Sequence, residues 1–203
     1  LICASLLNRS KTILHNIPKI EEVKKLLEIL GALGVSISWA GKHSLEITPP
    51  VKFNFAGLKH ESVGKIRSSL MLIGPLIHFS KKFSLPHTGG CKMGNRNIEA
   101  HRHGLESLGA KIITKNDQYQ ISKQNLKPGK IVMYESSDTA TENILMAAAL
   151  IPGKTTIEFA TPNYQVQEVC FFLEKCGVKI NGVGTSTLEI QGVSEINKPM
   201  EYY

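Results

Sequence analysis

The sequence predicts one α/β domain in which three repeats surround a pseudo-threefold axis and bury three apolar helices. The first observation is a recurring order of elements: a strand, a helix ended by glycine, and a β-hairpin. The second is a fixed spacing, because Lys11 and Gly34 are as far apart along the chain as Lys154 and Gly177. The third is a set of helical segments without a polar face, which is typical of helices buried on all sides.

The three copies of the repeat are predicted over about residues 1–64, 65–138 and 139–203. The elements predicted in the first copy are a strand opening at Lys11, a helix over residues 20–33, and a hairpin of residues 35–39 and 44–47. Those of the second are a strand opening at Lys82, a helix ending at Leu108, and strands at 110–112 and 118–121. Those of the third are a strand opening at Lys154, a helix ending at Cys176, and strands at 178–180 and 187–190. No linker separates the copies, so we expect a single domain.

A second helix in each copy is apolar on nearly every face. These helices are predicted over residues 1–7, 65–79 and 139–151. Pro75 lies within the middle one, and we expect it to kink or break that helix because proline has no backbone N–H.

The composition describes an ordinary globular protein of 203 residues, with 42% hydrophobic and 20% charged residues. A net charge of +7 favours anionic partners. The basic residues are scattered and the aromatic content is only 6%, so a phosphorylated small molecule is favoured over nucleic acid. No apolar run is long enough to span a membrane, and no signal peptide is recognised. Leu1 is not a natural start, so the chain is expected to be a fragment cut at both ends.

The four cysteines are irregularly spaced, which favours free thiols in a reducing, cytoplasmic setting. Cys91 differs from the other three, because it lies between the pair Gly89–Gly90 and Gly94, with Lys92 and Arg96 nearby. A helix is predicted to begin directly after this loop. Both the helix dipole and the nearby cations favour thiolate over thiol.

The length of this loop supports a functional interpretation. The distance from Lys82 to Gly109 exceeds the spacing in the other two copies, and the excess falls at the glycine-rich loop. A repeat that keeps its scaffold and lengthens one loop is typical of a site built on that loop. The alternative is a cysteine that is simply buried in a turn.

The same residues could also form other kinds of site. A metal site could be drawn from His87, Cys91, His101 and His103, but the last two are two residues apart on one helix and point to different faces. We therefore predict no metal. A cysteine hydrolase could pair Cys91 with His87 or His101, although no third orienting residue is evident. A non-catalytic binding module is the remaining alternative.

The chain also resembles a known family, the UDP-N-acetylglucosamine enolpyruvyl transferases, which are relatives of enolpyruvylshikimate-phosphate synthase. The resemblance covers essentially the whole chain and is strongest at residues 67–76, 89–96, 104–112 and 140–143 and at His101. It implies an inside-out α/β barrel domain of three repeats. Members of the family have two such domains with a cleft between them, so the resemblance implies that a second domain is missing here.

The resemblance also implies a reaction. The family transfers enolpyruvyl from phosphoenolpyruvate to a hydroxyl of a UDP-sugar by addition and then elimination of phosphate, without a cofactor, at the first committed step of peptidoglycan synthesis. Cys91 matches the general acid that also forms a thioether with phosphoenolpyruvate and is alkylated by fosfomycin. Arg67 and Arg96 match arginines that contact the substrates, and guanidinium suits carboxylate and phosphate groups.

The sugar-nucleotide pocket is where this chain departs from the family pattern. The family's Pro-Val-Asp-Leu after its arginine corresponds here to Asn97, Ile98, Glu99 and Ala100. The family's Lys-Val-Ser-Val-Gly corresponds to Glu135, Ser136, Ser137, Asp138 and Thr139. The carboxylates of Glu135 and Asp138 would repel a diphosphate unless they turn away. Asp138 has an alternative role, which is to cap the helix beginning near Thr139 and so leave room for the diphosphate. We expect UDP-N-acetylglucosamine to remain the substrate; a different substrate is the alternative.

Overall fold

The structure is a computed structural model that describes residues 1–87 and 98–203. Its α-helices are α1 (Glu21–Ala32), α2 (Glu61–Lys65), α3 (Ile73–Leu76), α4 (Glu99–Ser107), α5 (Asp138–Ala149) and α6 (Tyr164–Lys175). Further 3-10 helices cover Ala4–Leu7, Phe55–Lys59 and Arg67–Leu72.

The strands belong to three small sheets. In chain order they are β1 (Thr12–Leu14), β2 (Ser36–Trp39), β3 (Leu45–Thr48), β4 (Lys82–Pro86), β5 (Ala110–Lys115), β6 (Gln118–Lys123), β7 (Lys130–Val132), β8 (Gly153–Glu158), β9 (Lys179–Asn181), β10 (Thr187–Gly192) and β11 (Met200–Tyr202). The predicted strands of all three copies are therefore present.

The same strand order occurs in each sheet. It is β1-β3-β2 in the first, β4-β6-β5 in the second and β8-β10-β9 in the third, with every one of these neighbours antiparallel. An identical order in three successive segments confirms the predicted threefold repeat. The boundaries assigned to the copies stay a prediction.

Two short strands that the sequence analysis did not predict connect the repeats. β7 pairs in parallel with β8, and β11 pairs in parallel with β1, where Thr12 lies opposite Met200. β7 follows the strands of the second copy but joins the sheet of the third. β11 follows the strands of the third copy but joins the sheet of the first. The buried hydrophobic side chains also form one continuous cluster that draws on all three copies.

The glycine that follows each of the helices α1, α4 and α6 adopts a left-handed backbone conformation. The φ angles of Gly34, Gly109 and Gly177 are +89°, +97° and +100°. A left-handed residue after the last turn is the common way for a helix to end, and glycine adopts it without a steric cost. At Gly109 a Cβ atom would also collide with the backbone carbonyl oxygen of Asn125. The three glycines therefore end α1, α4 and α6, as predicted.

Of the three apolar helices, only α5 forms as predicted. Its residues are buried almost throughout, and it packs against α3, α4 and α6. The segment 65–79 is interrupted, as expected from Pro75, because it forms a 3-10 helix (Arg67–Leu72) followed by the single turn of α3. Pro75 accounts for the break, since it has no N–H to donate and its ring would clash with the carbonyl four residues earlier.

The predicted helix over residues 1–7 is also shorter than expected, because only Ala4–Leu7 form a 3-10 turn. Asn8 ends this turn in an extended conformation. Its side-chain amide donates to Thr12 Oγ1 over 3.0 Å and to the carbonyl of Lys198 over 2.8 Å. These bonds connect the first repeat to the C-terminal part of the chain. Within residues 1–87 and 98–203, no helix has both the length and the apolar character needed to cross a bilayer.

Candidate functional site

A cleft of about 190 Å³ opens where the 3-10 helix that begins at Arg67 meets α4 and α5. We call it the Arg67 cleft. Its lining residues are Glu22, Arg67, Ser68, Leu70, Met71, His101 and Thr139. Of the residues predicted to bind substrate, Arg67 therefore lines a concave site together with His101, which belongs to the motifs that resemble the family.

Arg67 is held at the rim of this cleft by the apolar residues around it. Ile66 is in an extended conformation and 8% exposed, and Leu70 is 1% exposed, so the backbone on both sides of Arg67 is anchored in the core. The Arg67 side chain itself is half-buried. A partly desolvated guanidinium attracts carboxylate and phosphate groups more strongly than a fully hydrated one.

His101 lies on the buried face of α4 and is 3% exposed. Burial, and secondly the positive charge of Arg67, lower the pKa of His101 to about 4. At neutral pH the imidazole is therefore uncharged. Its Nδ1 lies 3.1 Å from Asn143 Nδ2, and its Nε2 lies 3.3 Å from Thr139 Oγ1. Both ring nitrogens thus have partners on α5.

Asn143 connects three elements at the back of the cleft. Its Oδ1 accepts the backbone N–H of Gly74 over 2.6 Å, and its Nδ2 donates to the carbonyl of Leu70 over 2.9 Å. Asn143 is fully buried, and leaving such a group without partners would cost about 1–3 kcal/mol. The network therefore holds the 3-10 helix, α3 and α4 in place relative to α5.

Neither Asn143 nor Thr139 was predicted from the sequence to bind a ligand. A signal for Asn143 was present, since a polar side chain within an otherwise apolar helix needs buried hydrogen-bond partners. Its partners could not be identified from the sequence, because Gly74, Leu70 and His101 come from another part of the chain.

The predicted sugar-nucleotide residues at the start of α4 are largely inaccessible through their side chains. Ile98 and Ala100 are each 4% exposed, so both residues are almost entirely buried. Glu99 is the first residue of α4 and forms an ion pair with Arg102. These residues stay predicted binding residues.

The second predicted group, at the start of α5, is more open. Glu135 and Ser136 are exposed, and the hydroxyl of Ser136 lies 3.1 Å from that of Thr161. Ser137, rather than Asp138, is the N-cap residue, and no side chain caps this helix end. The prediction that Asp138 caps α5 was therefore wrong, because the helix begins one residue earlier and Asp138 lies in its first turn. A carboxylate there is still favoured by the helix dipole.

The loop that carries the predicted reactive cysteine lies outside the described residues, as do Cys91, Arg96 and Asn97. The described chain stops at His87, after β4, and resumes at Ile98, directly before α4. His87 stacks on Tyr119, with ring centroids 4.4 Å apart. Since α4 also carries His101, the chain that follows Cys91 leads directly to a lining residue of the Arg67 cleft.

The other three cysteines are buried and free. Burial raises the pKa of each of the Cys3, Cys170 and Cys176 thiols to about 12. A thiol with such a pKa is almost entirely protonated at neutral pH, so it is a poor nucleophile. All three lie among the buried hydrophobic residues of the core.

His101 and His103 do not point to a common position where they could bind one metal ion. His103 Nε2 lies 3.0 Å from the carbonyl of Val132, whereas His101 faces α5. Within residues 1–87 and 98–203 there is no group of three side chains suited to hold a metal ion.

The three sheets and the internal helices define the class of fold, which is that of the enolpyruvyl transferases. The structure is similar to the enolpyruvyl transferase NikO from Streptomyces tendae, with a TM-score of 0.79 and 20% identity over 99% of this chain and 48% of that chain. It is also similar to an EPSP synthase from Acinetobacter baumannii, with a TM-score of 0.71 and 17% identity over 98% of this chain and 46% of that one. The predicted α/β class is confirmed.

The family follows from the sequence. The model of the EPSP synthase (3-phosphoshikimate 1-carboxyvinyltransferase) family matches residues 1–203, and this chain belongs to that family.

Curated relatives share more of the sequence. The UDP-N-acetylglucosamine 1-carboxyvinyltransferase of Coprothermobacter proteolyticus is 39% identical over 97% of this chain and 46% of its own length. That of Finegoldia magna is 34% identical over 97% of this chain and 47% of its own length. The chain thus spans about half the length of the curated relatives that it matches.

Proposed function

We propose that the complete protein to which this chain belongs is a UDP-N-acetylglucosamine 1-carboxyvinyltransferase. It would transfer the enolpyruvyl group of phosphoenolpyruvate to a hydroxyl of UDP-N-acetylglucosamine. The observation that supports this most directly is the 34% and 39% identity to enzymes of that name over 97% of the chain. The proposal implies a role in peptidoglycan synthesis, and hence in cell shape and division, in the cytoplasm.

The proposed roles in this chain begin with Cys91. Its thiol gives a proton to the methylene carbon of phosphoenolpyruvate while the sugar oxygen bonds to the adjacent carbon. The proton of the sugar hydroxyl passes to a base, which the family resemblance assigns to the other domain. In the second step the bond to the phosphate oxygen breaks, the Cys91 thiolate takes a proton from the new methyl group, and inorganic phosphate departs with the proton that the base had taken. As a nucleophilic thiol in this position, Cys91 is also the proposed site of alkylation by fosfomycin.

Arg67 and Arg96 are proposed to bind the anionic groups of the substrates. Arg67 fits this role because it lines a cleft next to a histidine that stays neutral at pH 7. The Arg67 guanidinium therefore supplies positive charge to the cleft at this pH, whereas His101 does not. Electrostatic positioning of this kind works only when both walls of the site are present, so we expect this half of the enzyme to be inactive alone.

A second candidate function is enolpyruvyl transfer to a different acceptor. It is favoured by two carboxylates at the start of α5, of which Glu135 is exposed and Asp138 is half-buried. Two negative charges beside a diphosphate would weaken its binding. The candidates differ in the acceptor, whereas Cys91 and phosphoenolpyruvate keep their roles in both.

The proposal is tested by steady-state release of inorganic phosphate from phosphoenolpyruvate by the full-length protein. We expect release to depend on UDP-N-acetylglucosamine and to fall at least 100-fold in Cys91→Ala. The variant Cys170→Ala is the control, since that thiol is buried away from the cleft. Release that needs a different acceptor would favour the second candidate. Release that is unaffected by loss of Cys91 would contradict both.

A further inference from the structure

Thr139 occupies the second position of α5, where its exposed side chain lines the Arg67 cleft. The only hydrogen bond that its hydroxyl makes to the described part of the chain is the one to His101 Nε2, over 3.3 Å. A hydroxyl group can accept and donate at the same time. Which of the two roles remains for a ligand depends on the protonation of His101.

The partners of Asn143 determine that protonation. The backbone N–H of Gly74 can only donate, so the atom facing it must be Oδ1, and the Leu70 carbonyl can only accept, so the atom facing it must be Nδ2. The orientation of the amide is therefore set from both sides. Nδ2 has a second proton, and it points to His101 Nδ1 over 3.1 Å.

His101 Nδ1 must then be unprotonated, because it accepts this bond. A neutral imidazole with an unprotonated Nδ1 has its proton on Nε2. The low pKa of His101, about 4, is consistent with this neutral form. Nε2–H accordingly donates to Thr139 Oγ1, which leaves the hydroxyl proton of Thr139 available for a ligand in the cleft.

We infer that Thr139 donates a hydrogen bond to an anionic oxygen of the bound substrate, and that His101 is a positioning residue that orients the Thr139 hydroxyl. The inference rests on the proposed function for the identity of the substrate. The oxygen belongs to a phosphoryl or carboxylate group. Phosphoenolpyruvate carries both kinds of group, and UDP-N-acetylglucosamine carries phosphoryl groups.

The surroundings of Thr139 favour an anion over a neutral group. Arg67 contributes a positive charge to the same cleft, and the N-terminal end of the 12-residue helix α5 adds the partial positive charge of its dipole. Ser68 also lines the cleft, and its buried Oγ has no hydrogen-bond partner within the described residues. Glu22, which lines the cleft and is exposed to solvent, and Asp138, which is half-buried beside Thr139, are the opposing charges.

The test compares Thr139→Val, which removes the hydroxyl at nearly constant volume, with Thr139→Ser, which keeps it. Thr114→Val is the matched control, because Thr114 is exposed on β5, outside the cleft lining. Titration calorimetry on the full-length protein would measure binding of inorganic phosphate, phosphoenolpyruvate and UDP-N-acetylglucosamine separately. Loss of a hydrogen bond to a charged group weakens binding by about 10-fold or more.

The inference predicts that Thr139→Val weakens binding of phosphate and of at least one substrate by about 10-fold, whereas Thr139→Ser and Thr114→Val stay within about 3-fold of the wild type. The substrate that is affected identifies the source of the oxygen. Unchanged binding of all three probes in Thr139→Val would overturn the inference. If the wild type binds phosphate but neither substrate, the proposed function fails while the effect of Thr139→Val on phosphate still decides the inference. Binding of none of the three overturns both.

A second measurement examines His101 without any ligand. Nitrogen-15 NMR of the imidazole distinguishes the two neutral tautomers and the charged form. We expect the Nε2–H tautomer at pH 7. A proton on Nδ1 would contradict the orientation assigned to the Thr139 hydroxyl.

The role of His101 is then tested by substitution. His101→Gln retains an amide donor near Thr139, whereas His101→Phe removes it, so the first variant should bind phosphate better than the second. Circular dichroism of both variants would check that they are folded. Equal phosphate binding by two folded variants would remove His101 from the proposal.

Discussion

The backbone N–H of Gly74 donates to Oδ1 of Asn143 over 2.6 Å, at a point where α3 lies directly against α5. A Cβ atom on residue 74 would collide with the backbone carbonyl oxygen of Asn143. The close approach therefore requires glycine, and it brings Asn143 to the residues behind the Arg67 cleft.

Gly74→Ala is expected to destabilise the protein by about 2–4 kcal/mol, because the added methyl group separates two buried helices and weakens the Asn143 bond. Urea unfolding of the full-length protein and the variant measures the change. The control is Gly31→Ala in the last turn of α1, where a Cβ meets nothing within 4 Å. That substitution should stabilise by about 0.5–1 kcal/mol. Equal stability of Gly74→Ala and the wild type would show that the helices can separate freely.

The pKa of His101 predicts a pH dependence of stability. It is lowered from 6.5 to about 4 in the folded protein by burial and by Arg67. Between these pH values the unfolded chain binds a proton that the folded protein does not, so stability falls as the pH is lowered through this window. From pH 7.5 to pH 5 the expected loss from His101 is about 2 kcal/mol.

His78 adds to this loss, because burial also lowers its pKa to about 4. Urea unfolding at pH 7.5 and pH 5 of the wild type, His101→Gln and His78→Gln separates the two contributions. Each variant should lose less stability than the wild type over this range. A variant with the wild-type pH dependence would mean that the corresponding imidazole is protonated in the folded protein.

The cysteines are expected to differ in reactivity. Cys3, Cys170 and Cys176 are buried with pKa values raised to about 12, whereas Cys91 lies in a glycine-rich segment with two cations nearby. Brief treatment with iodoacetamide at pH 7, followed by peptide mass mapping, should label Cys91 at least 10 times faster than the others. Labelling of Cys170 at the same rate as Cys91 would contradict the assignment of a reactive thiol.

The threefold repeat could be predicted from the sequence because its landmarks have local causes. Gly34, Gly109 and Gly177 each end a helix in a left-handed conformation. Before each glycine, apolar residues recur at the spacing of a helix. The strands β7 and β11 could not be predicted, since each has three residues and pairs with a strand elsewhere in the chain. A run of three residues gives no usable periodicity.

The candidate site could be predicted only in part, for a related reason. Arg67 and His101 belong to segments that resemble the enolpyruvyl transferases, so they were recognised locally. The contact from His101 to Thr139, by contrast, joins two copies of the repeat and depends on how their helices pack. The start of α5 was misplaced by one residue, which is why Asp138 was assigned to capping. Cys91 was identified from its glycines and cations, and its role stays a prediction.

The most direct test of the account is mass spectrometry of the products formed by the full-length protein from phosphoenolpyruvate and UDP-N-acetylglucosamine. The account predicts a sugar nucleotide that has gained one enolpyruvyl group, formed together with inorganic phosphate. It also predicts that Cys91→Ala forms neither product at a measurable rate. Recovery of unchanged UDP-N-acetylglucosamine after prolonged incubation with wild-type protein that binds both substrates would contradict it.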